Sequence, residues 1–230
     1  MGVFDQVPLL LPDSIFQLNT NYQADTRKSK VDLGVGVYKN ENLLAEILPS
    51  VEKAEKHLLK SEKTKTYLPI EGDPFFLKTV GKLVFGSDFF STHQERLAAV
   101  QAIGGTGALR LAGTFLKQEV SSKVYVSNPT WPNHQGIFMN CGLQVYSYPY
   151  YDKSNHYIEF EKLIQFLSRI EEKSILVLHA CCHNPTGMDL TVVQSKTLLK
   201  VCQDRKIIPL FDCAYLGLGE SIEKCLQKKD

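Results

Sequence analysis

The sequence lacks the features that would place it outside the ordinary soluble globular proteins. It has no C-x-x-C pair and no His/Cys cluster with metal-site spacing, so neither a redox motif nor a zinc site is predicted. No apolar run is long enough to cross a membrane. The 26 basic and 25 acidic residues leave a formal net charge of +1, so there is no electrostatic reason to expect nucleic acid as a partner.

The N-terminal residues also lack a targeting signal. Their apolar run is short, is broken by Pro8 and Pro12, and follows no basic stretch, as a secretory signal would require. Gln6 stands where N-myristoylation needs Ser or Thr. The six cysteines show no disulfide framework, which is typical of reduced thiols. We therefore expect a cytoplasmic protein with no membrane partner.

Apolar runs alternate with stretches of helical periodicity along most of the chain. Strands are predicted at residues 97–102, 123–127, 143–148, 174–181 and 207–211, and helices at 108–116, 159–170 and 191–205. This alternation predicts an α/β fold, in which a largely parallel sheet is flanked by helices on both faces.

The first third of the chain is more irregular. Residues 31–38 form one strand-like run. A helix is predicted to begin at Pro49, because proline suits the first helical turn. A second helix is predicted from Asp73 to Phe85, with Phe75, Val80 and either Leu83 or Val84 facing inward.

Chemistry-bearing residues follow the predicted strands at four places. Parallel sheets gather their active groups at the carboxyl ends of the strands, so these four segments are expected at one edge. They are residues 104–107, 128–134, 183–187 and 212–215.

The Gly-Gly-Thr-Gly segment at residues 104–107 has the character of a phosphate site. Glycines allow close backbone approach, and the helix that follows offers unpaired N–H groups and the positive end of its dipole. Gly105 and Thr106 are the candidate ligands. The alternative is a simple strand-to-helix turn. No lysine follows as in a P-loop, and the dinucleotide spacing is absent.

The segment at 128–134 contains the only tryptophan, Trp131, between two prolines. Prolines restrict their neighbours, so this indole is held in a fixed loop where it could stack on a flat aromatic ligand. A core role for Trp131 and a structural role for His134 are the alternatives. In the next segment, Asn184 is a candidate donor to a ligand oxygen, or else closes an Asx-turn. The isomer of the bond before Pro185 stays open.

Asp212 follows an apolar run directly, at the rim of a buried layer. A charge there is costly unless a partner exists, and a protonated ring nitrogen is one such partner. Tyr215, three residues on, could reach the same ligand.

In this order and at these spacings, the motifs resemble those of the fold-type-I aspartate aminotransferases, which use pyridoxal 5′-phosphate (PLP). The similar runs are residues 33–38, 67–72, 105–110, 128–134, 183–187 and 212–215. The resemblance covers nearly the whole chain. It implies an N-terminal arm and the start of a small domain at residues 1–45. It also implies an incomplete PLP-binding large domain at residues 46–230.

The resemblance implies roles around the cofactor. Gly105 and Thr106 would bind its phosphate, and Trp131 would stack on its ring. Asp212 would keep the pyridine nitrogen protonated, which makes the ring an electron sink. His134 would support Asp212.

It also implies contacts to the substrate and a partner. Asn184 and Tyr215 would bond the phenolic oxygen of the cofactor, and Asn184 would also touch the substrate carboxylate, next to Trp131. Gly36 would close over the substrate. Tyr67 would reach the phosphate in a partner subunit, which implies a homodimer with shared sites. The substrates implied are L-aspartate and 2-oxoglutarate, an amino acid and a 2-oxo acid.

One departure from the family pattern matters for catalysis. The lysine that would hold the cofactor covalently belongs to a Ser-Lys segment that nothing here matches, and the substrate-binding arginines are also unmatched. Lys228 and Lys229 lie in a charged tail and are interpreted as solvated. We therefore expect no catalytic residue in these 230 residues and little activity from them alone. The alternatives are a non-catalytic homologue that binds PLP or a partner, and a nucleotide-binding α/β domain.

Overall fold

The computed structural model describes residues 2–8, 14–32, 34, 36–219 and 221–222. Lys228 and Lys229 lie outside the described residues. The chain divides into two compact units, Met1–Thr66 and Tyr67–Asp230. The domain boundary implied near residue 45 remains a prediction.

The described residues of the first unit form two helices, α1 (Ser14–Ala24) and α2 (Pro49–Ser61). Helix α2 begins at Pro49 as predicted, although none of its residues is buried. The strand prediction at residues 31–38 is wrong for the described residues of that run, while Leu33 and Val35 lie outside them. A local turn replaces the strand, because the Asp32 carboxylate accepts hydrogen bonds from Gly34 N and Lys39 Nζ.

The second unit opens with helices α3 (Pro74–Phe85) and α4 (Ser87–Thr92) and a 3-10 turn at Gln94–Arg96. Asp73 caps α3 by accepting from Phe76 N at 2.7 Å. The predicted inward face is wrong, since Phe75 is 79% exposed and Val80 37%. The buried residue of α3 is Gly81.

The core of this unit is an α/β sandwich, as predicted. After α5 (Gly104–Glu119) come β1 (Lys123–Asn128), α6 (Asn133–Asn140), β2 (Gln144–Pro149) and the short antiparallel pair β3 (Tyr151–Asp152) and β4 (Tyr157–Ile158). The chain continues with α7 (Phe160–Leu167), β5 (Ile175–His179), α8 (Val192–Asp204) and β6 (Ile208–Asp212). The sheet order is β2-β1-β5-β6, and all three pairings are parallel.

Alternate residues of each strand point to opposite faces of this sheet. On one face Val124 and Val177 pack with Leu109 of α5 and Phe138 of α6. On the other face the buried residues of β1 and β5 pack with α7 and α8 through Leu163, Leu167 and Leu198. Both faces are therefore covered, which leaves the carboxyl edge of the strands for polar residues.

The prediction of a strand at residues 97–102 is wrong. A strand needs a neighbour to pair with, and no described strand lies beside this segment. Gln101 is instead tied to the approach to α3, because its N–H donates to Glu71 O and its side-chain oxygen accepts from Asp73 N. Within the described ranges, no helix is both long and apolar enough to cross a membrane.

Candidate active site

A histidine–aspartate pair lies at the carboxyl edge of the strands. Asp212 ends β6 and lies in register with His179, the last residue of β5. His134, in the first turn of α6, is fully buried and places Nε2 3.0 Å from Asp212 Oδ2. Its Nδ1 lies 2.8 Å from Thr130 Oγ1, so both ring nitrogens are engaged. The structure thus brings together two of the predicted site residues.

Opposing influences act on the Asp212 carboxyl. Burial raises its pKa, but the hydrogen bond and charge of His134 and the N–H of Ala214 at 3.1 Å outweigh burial. The net pKa lies below the ordinary value. Asp212 is therefore an anion at neutral pH, which is the state needed to hold a protonated ring nitrogen.

Trp131 lies beside this pair. Its ring meets the His134 ring edge-on, with 5.4 Å between centroids and 87° between planes. The indole is half-buried, against the apolar cluster under α5 and α6. The indole thus packs in part against the core, and its stacking on a flat ligand remains a prediction.

Two histidines that sequence reasoning assigned no role extend the site. The His179 ring lies 5.2 Å from the ring of His134 and 4.2 Å from that of His183. Burial, followed by the charge of a neighbouring histidine, lowers the pKa of His179 to about 4 and that of His183 to about 3. Both are neutral at physiological pH. The available signal was that His179 ends the buried strand β5 and that His183 lies in the turn after it.

The His183 ring is held by three neighbouring side chains. Its ring stacks on Tyr150 at 4.1 Å, its Nε2 lies 2.9 Å from Ser127 Oγ, and its Nδ1 lies 2.9 Å from Thr186 Oγ1. Asn184, the next residue, is half-buried. The peptide bonds before Pro129 and Pro185 are cis.

Tyr215 lies in the turn after β6 and is half-buried, and its carbonyl accepts from Leu218 N at 3.0 Å. Asn184 and Tyr215 therefore follow the adjacent strands β5 and β6. Neither side chain forms a hydrogen bond with the described residues. Both are thus available to a ligand at this edge.

Gly105 and Thr106 occupy the exposed first turn of α5. The first backbone bond of this helix runs from Gly107 N to Ile103 O, and no side chain caps the amides before it. Gly104 has φ +63°, and a Cβ on Gly104 or Gly105 would meet nothing within 4 Å. An anion can reach these amides, as a phosphate site requires.

Two further predicted site residues are exposed to solvent. Tyr67 is wholly exposed at 103%, at the start of the second unit. Gly36 is exposed and belongs to the first unit. Their predicted contacts, to a partner subunit and to a bound substrate, remain predictions.

The fold assembles a three-residue group that sequence spacing did not indicate. Ligand atoms of His134, His179 and Asp212 lie within 4.8 Å of one another, close enough for a metal ion. However, the 3.0 Å contact between His134 and Asp212 is an ordinary hydrogen bond. The pair is therefore satisfied as it stands, with the outer oxygen of Asp212 turned to Ala214 N.

A flat phosphorylated ring fits the chemistry of these residues. The open amides of α5 suit its phosphate, Trp131 offers an aromatic surface, and Asp212 offers an anion for a ring cation. When bound, PLP supplies an electron sink for charge that develops on the substrate.

The chain matches the family model of the class I and II aminotransferases over residues 28–225. It is 42% identical to an aspartate aminotransferase of Escherichia coli and 37% identical to a tyrosine aminotransferase of Klebsiella pneumoniae. Each alignment covers 96% of this chain but 56% of the relative.

The fold matches as well. A crystal structure of an aromatic-amino-acid aminotransferase from Burkholderia pseudomallei, covalently bound to pyridoxal phosphate, superposes with a TM-score of 0.94 at 40% identity. That match covers 100% of this chain and 58% of the other. The chain therefore belongs to the class I and II aminotransferase family, and it spans a little over half the length of these relatives.

Proposed function

We propose that this chain is the cofactor-cradling part of a PLP-dependent aminotransferase that acts on L-aspartate and 2-oxoglutarate. The observation that carries the proposal is the buried His134–Asp212 pair beside Trp131. Among the relatives are aspartate, tyrosine and aromatic aminotransferases, so aspartate rests on the resemblance of the motifs.

Each residue has a defined task in this proposal. Asp212 holds a proton on the ring nitrogen of the cofactor, and His134 keeps Asp212 ionised. Trp131 covers one face of the ring. The first amides of α5, with the Thr106 hydroxyl, bind the phosphate.

The remaining roles concern substrate and assembly. Asn184 and Tyr215 donate to the ring oxygen, and Asn184 orients the substrate carboxylate. Gly36 closes over the substrate, and Tyr67 completes the phosphate site of a partner in a cytoplasmic homodimer. No segment after the motif at residues 212–215 matches the Ser-Lys segment of the family, so we propose that these 230 residues bind the cofactor without normal turnover.

A binding experiment tests the cofactor assignment. Pyridoxine 5′-phosphate is the suitable probe, because it lacks the aldehyde that would react with surface lysines. Trp131 is the only tryptophan, so its fluorescence reports stacking directly. We expect quenching in the wild-type chain and at least about tenfold weaker binding in Asp212→Ala, since a charged hydrogen bond contributes roughly 1.5–3 kcal/mol.

Asp204→Ala is the matched control, because Asp204 is an exposed carboxylate on α8 paired with Lys200. It should bind the probe like wild type. An absence of quenching in the wild-type chain would contradict the proposal. Substrate choice is tested separately on the native protein, after its intact mass is measured, by comparing aspartate with phenylalanine as amino donor.

A further inference from the structure

The turn that carries Asn184 is anchored by a carboxylate from outside the turn. Cys182 N donates to Asp189 Oδ2 at 2.8 Å, and His183 N donates to Asp189 Oδ1 at 2.9 Å. Both oxygens of one side chain therefore hold two successive amides. Hydrogen bonds to a charged acceptor are stronger than those between neutral groups.

The first of these amides belongs to a residue in an unusual conformation. Cys182 has φ +51°, in the left-handed region that side-chain-bearing residues seldom adopt. Such a conformation persists where surrounding contacts determine it. The Asp189 carboxylate supplies such a contact by accepting from the amide of Cys182. Cys182 lies one residue before His183 and two before Asn184.

Hydrogen bonds also hold the C-terminal part of the turn. Gly187 N donates to His183 O at 2.7 Å, and Met188 N donates to Thr186 Oγ1 at 3.1 Å. The His183 ring is fixed by its stack on Tyr150. The backbone is thus bonded on both sides of Asn184.

Asn184 itself is the exception. Its side chain is half-buried, and its amide forms no hydrogen bond with the part of the chain that the structure describes. An amide carries two donors and an acceptor, and a position in a closely bonded turn usually engages them. The turn thus fixes the position of Asn184 and leaves its side-chain amide available to a ligand.

We propose that Asp189 is a positioning residue that holds the turn at residues 182–187 so that the Asn184 amide meets the cofactor. The inference rests on the proposed function, because it names a further residue that the same site needs. Asp189 acts through Asn184 and makes no contact with the cofactor.

The test is a double-mutant cycle on the 230-residue chain. Binding of pyridoxine 5′-phosphate is followed by Trp131 fluorescence in wild type, Asp189→Asn, Asp189→Ala, Asn184→Ala and the double variant Asp189→Ala/Asn184→Ala. We expect Asp189→Ala to weaken binding about tenfold, as Asn184→Ala does. Asp189→Asn should lose less, because its one carbonyl oxygen still accepts. The double variant should bind like Asn184→Ala within about twofold, because the two residues act as one unit.

Asp152→Asn is the matched control. The Asp152 carboxylate also accepts from two successive amides, Ser154 N and Asn155 N, in an exposed turn outside the site. It should leave probe binding unchanged. Thr186→Val, which removes the hydroxyl on the other side of the turn, should weaken binding in the same direction and provides the test if Asp189→Ala does not fold.

Each outcome distinguishes the inference from the proposed function. Quenching that is equally strong in wild type, Asp189→Ala and Thr186→Val overturns the inference alone. So do losses that multiply in the double variant, because Asp189 would then act independently of Asn184. No quenching in wild type overturns the proposed function, and the inference with it.

Discussion

At the residue scale, the burial of His134 decides the state of its neighbour. The ring is fully buried, with Thr130 on one nitrogen and Asp212 on the other. Burial raises the pKa of the Asp212 carboxyl, and the hydrogen bond and charge of His134 are the largest effects that lower it. The pair is therefore what keeps a carboxylate charged at the rim of an apolar layer.

Replacing His134 by leucine should raise the pKa of Asp212, because it removes the hydrogen bond and the charge that lower this pKa. The carboxyl carbon shift of Asp212, followed by NMR from pH 2 to 8, measures this. Thr130→Val is the control, since it keeps the bond to Asp212. An unchanged titration in His134→Leu would show that another group holds the charge.

The neutral histidines predict how stability depends on pH. The pKa values of His179 and His183 fall to about 4 and about 3 in the fold, below the ordinary 6.5. Between pH 6.5 and these lowered pKa values, the unfolded chain therefore binds more protons than the folded chain. The contribution of the two neutral histidines to the free energy of unfolding is fully present above pH 6.5. It declines as the pH falls toward 4, by up to about 1.4 kcal/mol per pH unit for each histidine.

Urea unfolding at pH 7.5, 6, 5 and 4.5 measures this slope. His183→Gln keeps a polar side chain but removes one titrating group, so its slope should be shallower by up to about 1.4 kcal/mol per unit. Equal slopes in the two proteins would contradict the assignment of a lowered pKa to His183.

The sequence predicted individual site residues better than the contacts between them. Trp131, His134 and Asp212 were predicted from motifs, and the structure places their rings and carboxylate together. His179 was missed because a histidine at a strand end has no motif of its own. Its register opposite Asp212 depends on strand pairing, which one sequence does not reveal.

At the element scale, helices with caps and strands with partners were predictable. Helix α3 begins after the Asp73 cap, and α8 begins with a capping box between Thr191 and Gln194. Residues 97–102 have strand composition but no described neighbour, and a strand is stabilised by its pairing. Composition alone therefore mispredicted that segment.

Helices α5 and α6 pack closely against each other at Gly113. A Cβ on Gly113 would lie 2.9 Å from Cys141 Sγ and 3.1 Å from the buried ring of Phe138. Gly113→Ala should therefore lower the free energy of unfolding by about 1–3 kcal/mol.

Gly107→Ala on the same helix is the control. Its Cβ would meet the Cβ atoms of Ile103 and Ala102 at the ordinary distances of 3.7 and 3.9 Å. This change should stabilise the chain by about 0.4–1 kcal/mol, because alanine favours the helix. Equal effects of the two substitutions in urea unfolding would show that α5 and α6 are not closely packed.

At the scale of the whole molecule, the α/β class followed from the alternation of elements, and the carboxyl-edge rule brought distant segments to one place. Asp212 and His134 are separated by 78 positions in the chain and meet at 3.0 Å. The distances themselves depend on side-chain packing across β5 and β6. The sequence therefore predicted the edge on which the site lies, and the fold decided which atoms touch.

The exposed apolar surface of the second unit leads to the last prediction. Phe75, Phe76, Val80 and Leu83 share one side of α3, and each is exposed. Apolar patches of this kind mark interaction surfaces or promote association. We expect the 230-residue chain to bind a hydrophobic dye and to associate at micromolar concentration in sedimentation experiments.

Phe75→Lys, at a residue 79% exposed, should reduce both dye binding and association because it places a charge in the patch. Val193→Lys on α8, where the valine is 74% exposed, is matched in exposure but lies on a different helix and should change neither. If the chain stays monomeric and the dye fluorescence does not rise, α3 is not an association surface. The proposed homodimer would then have to use another face.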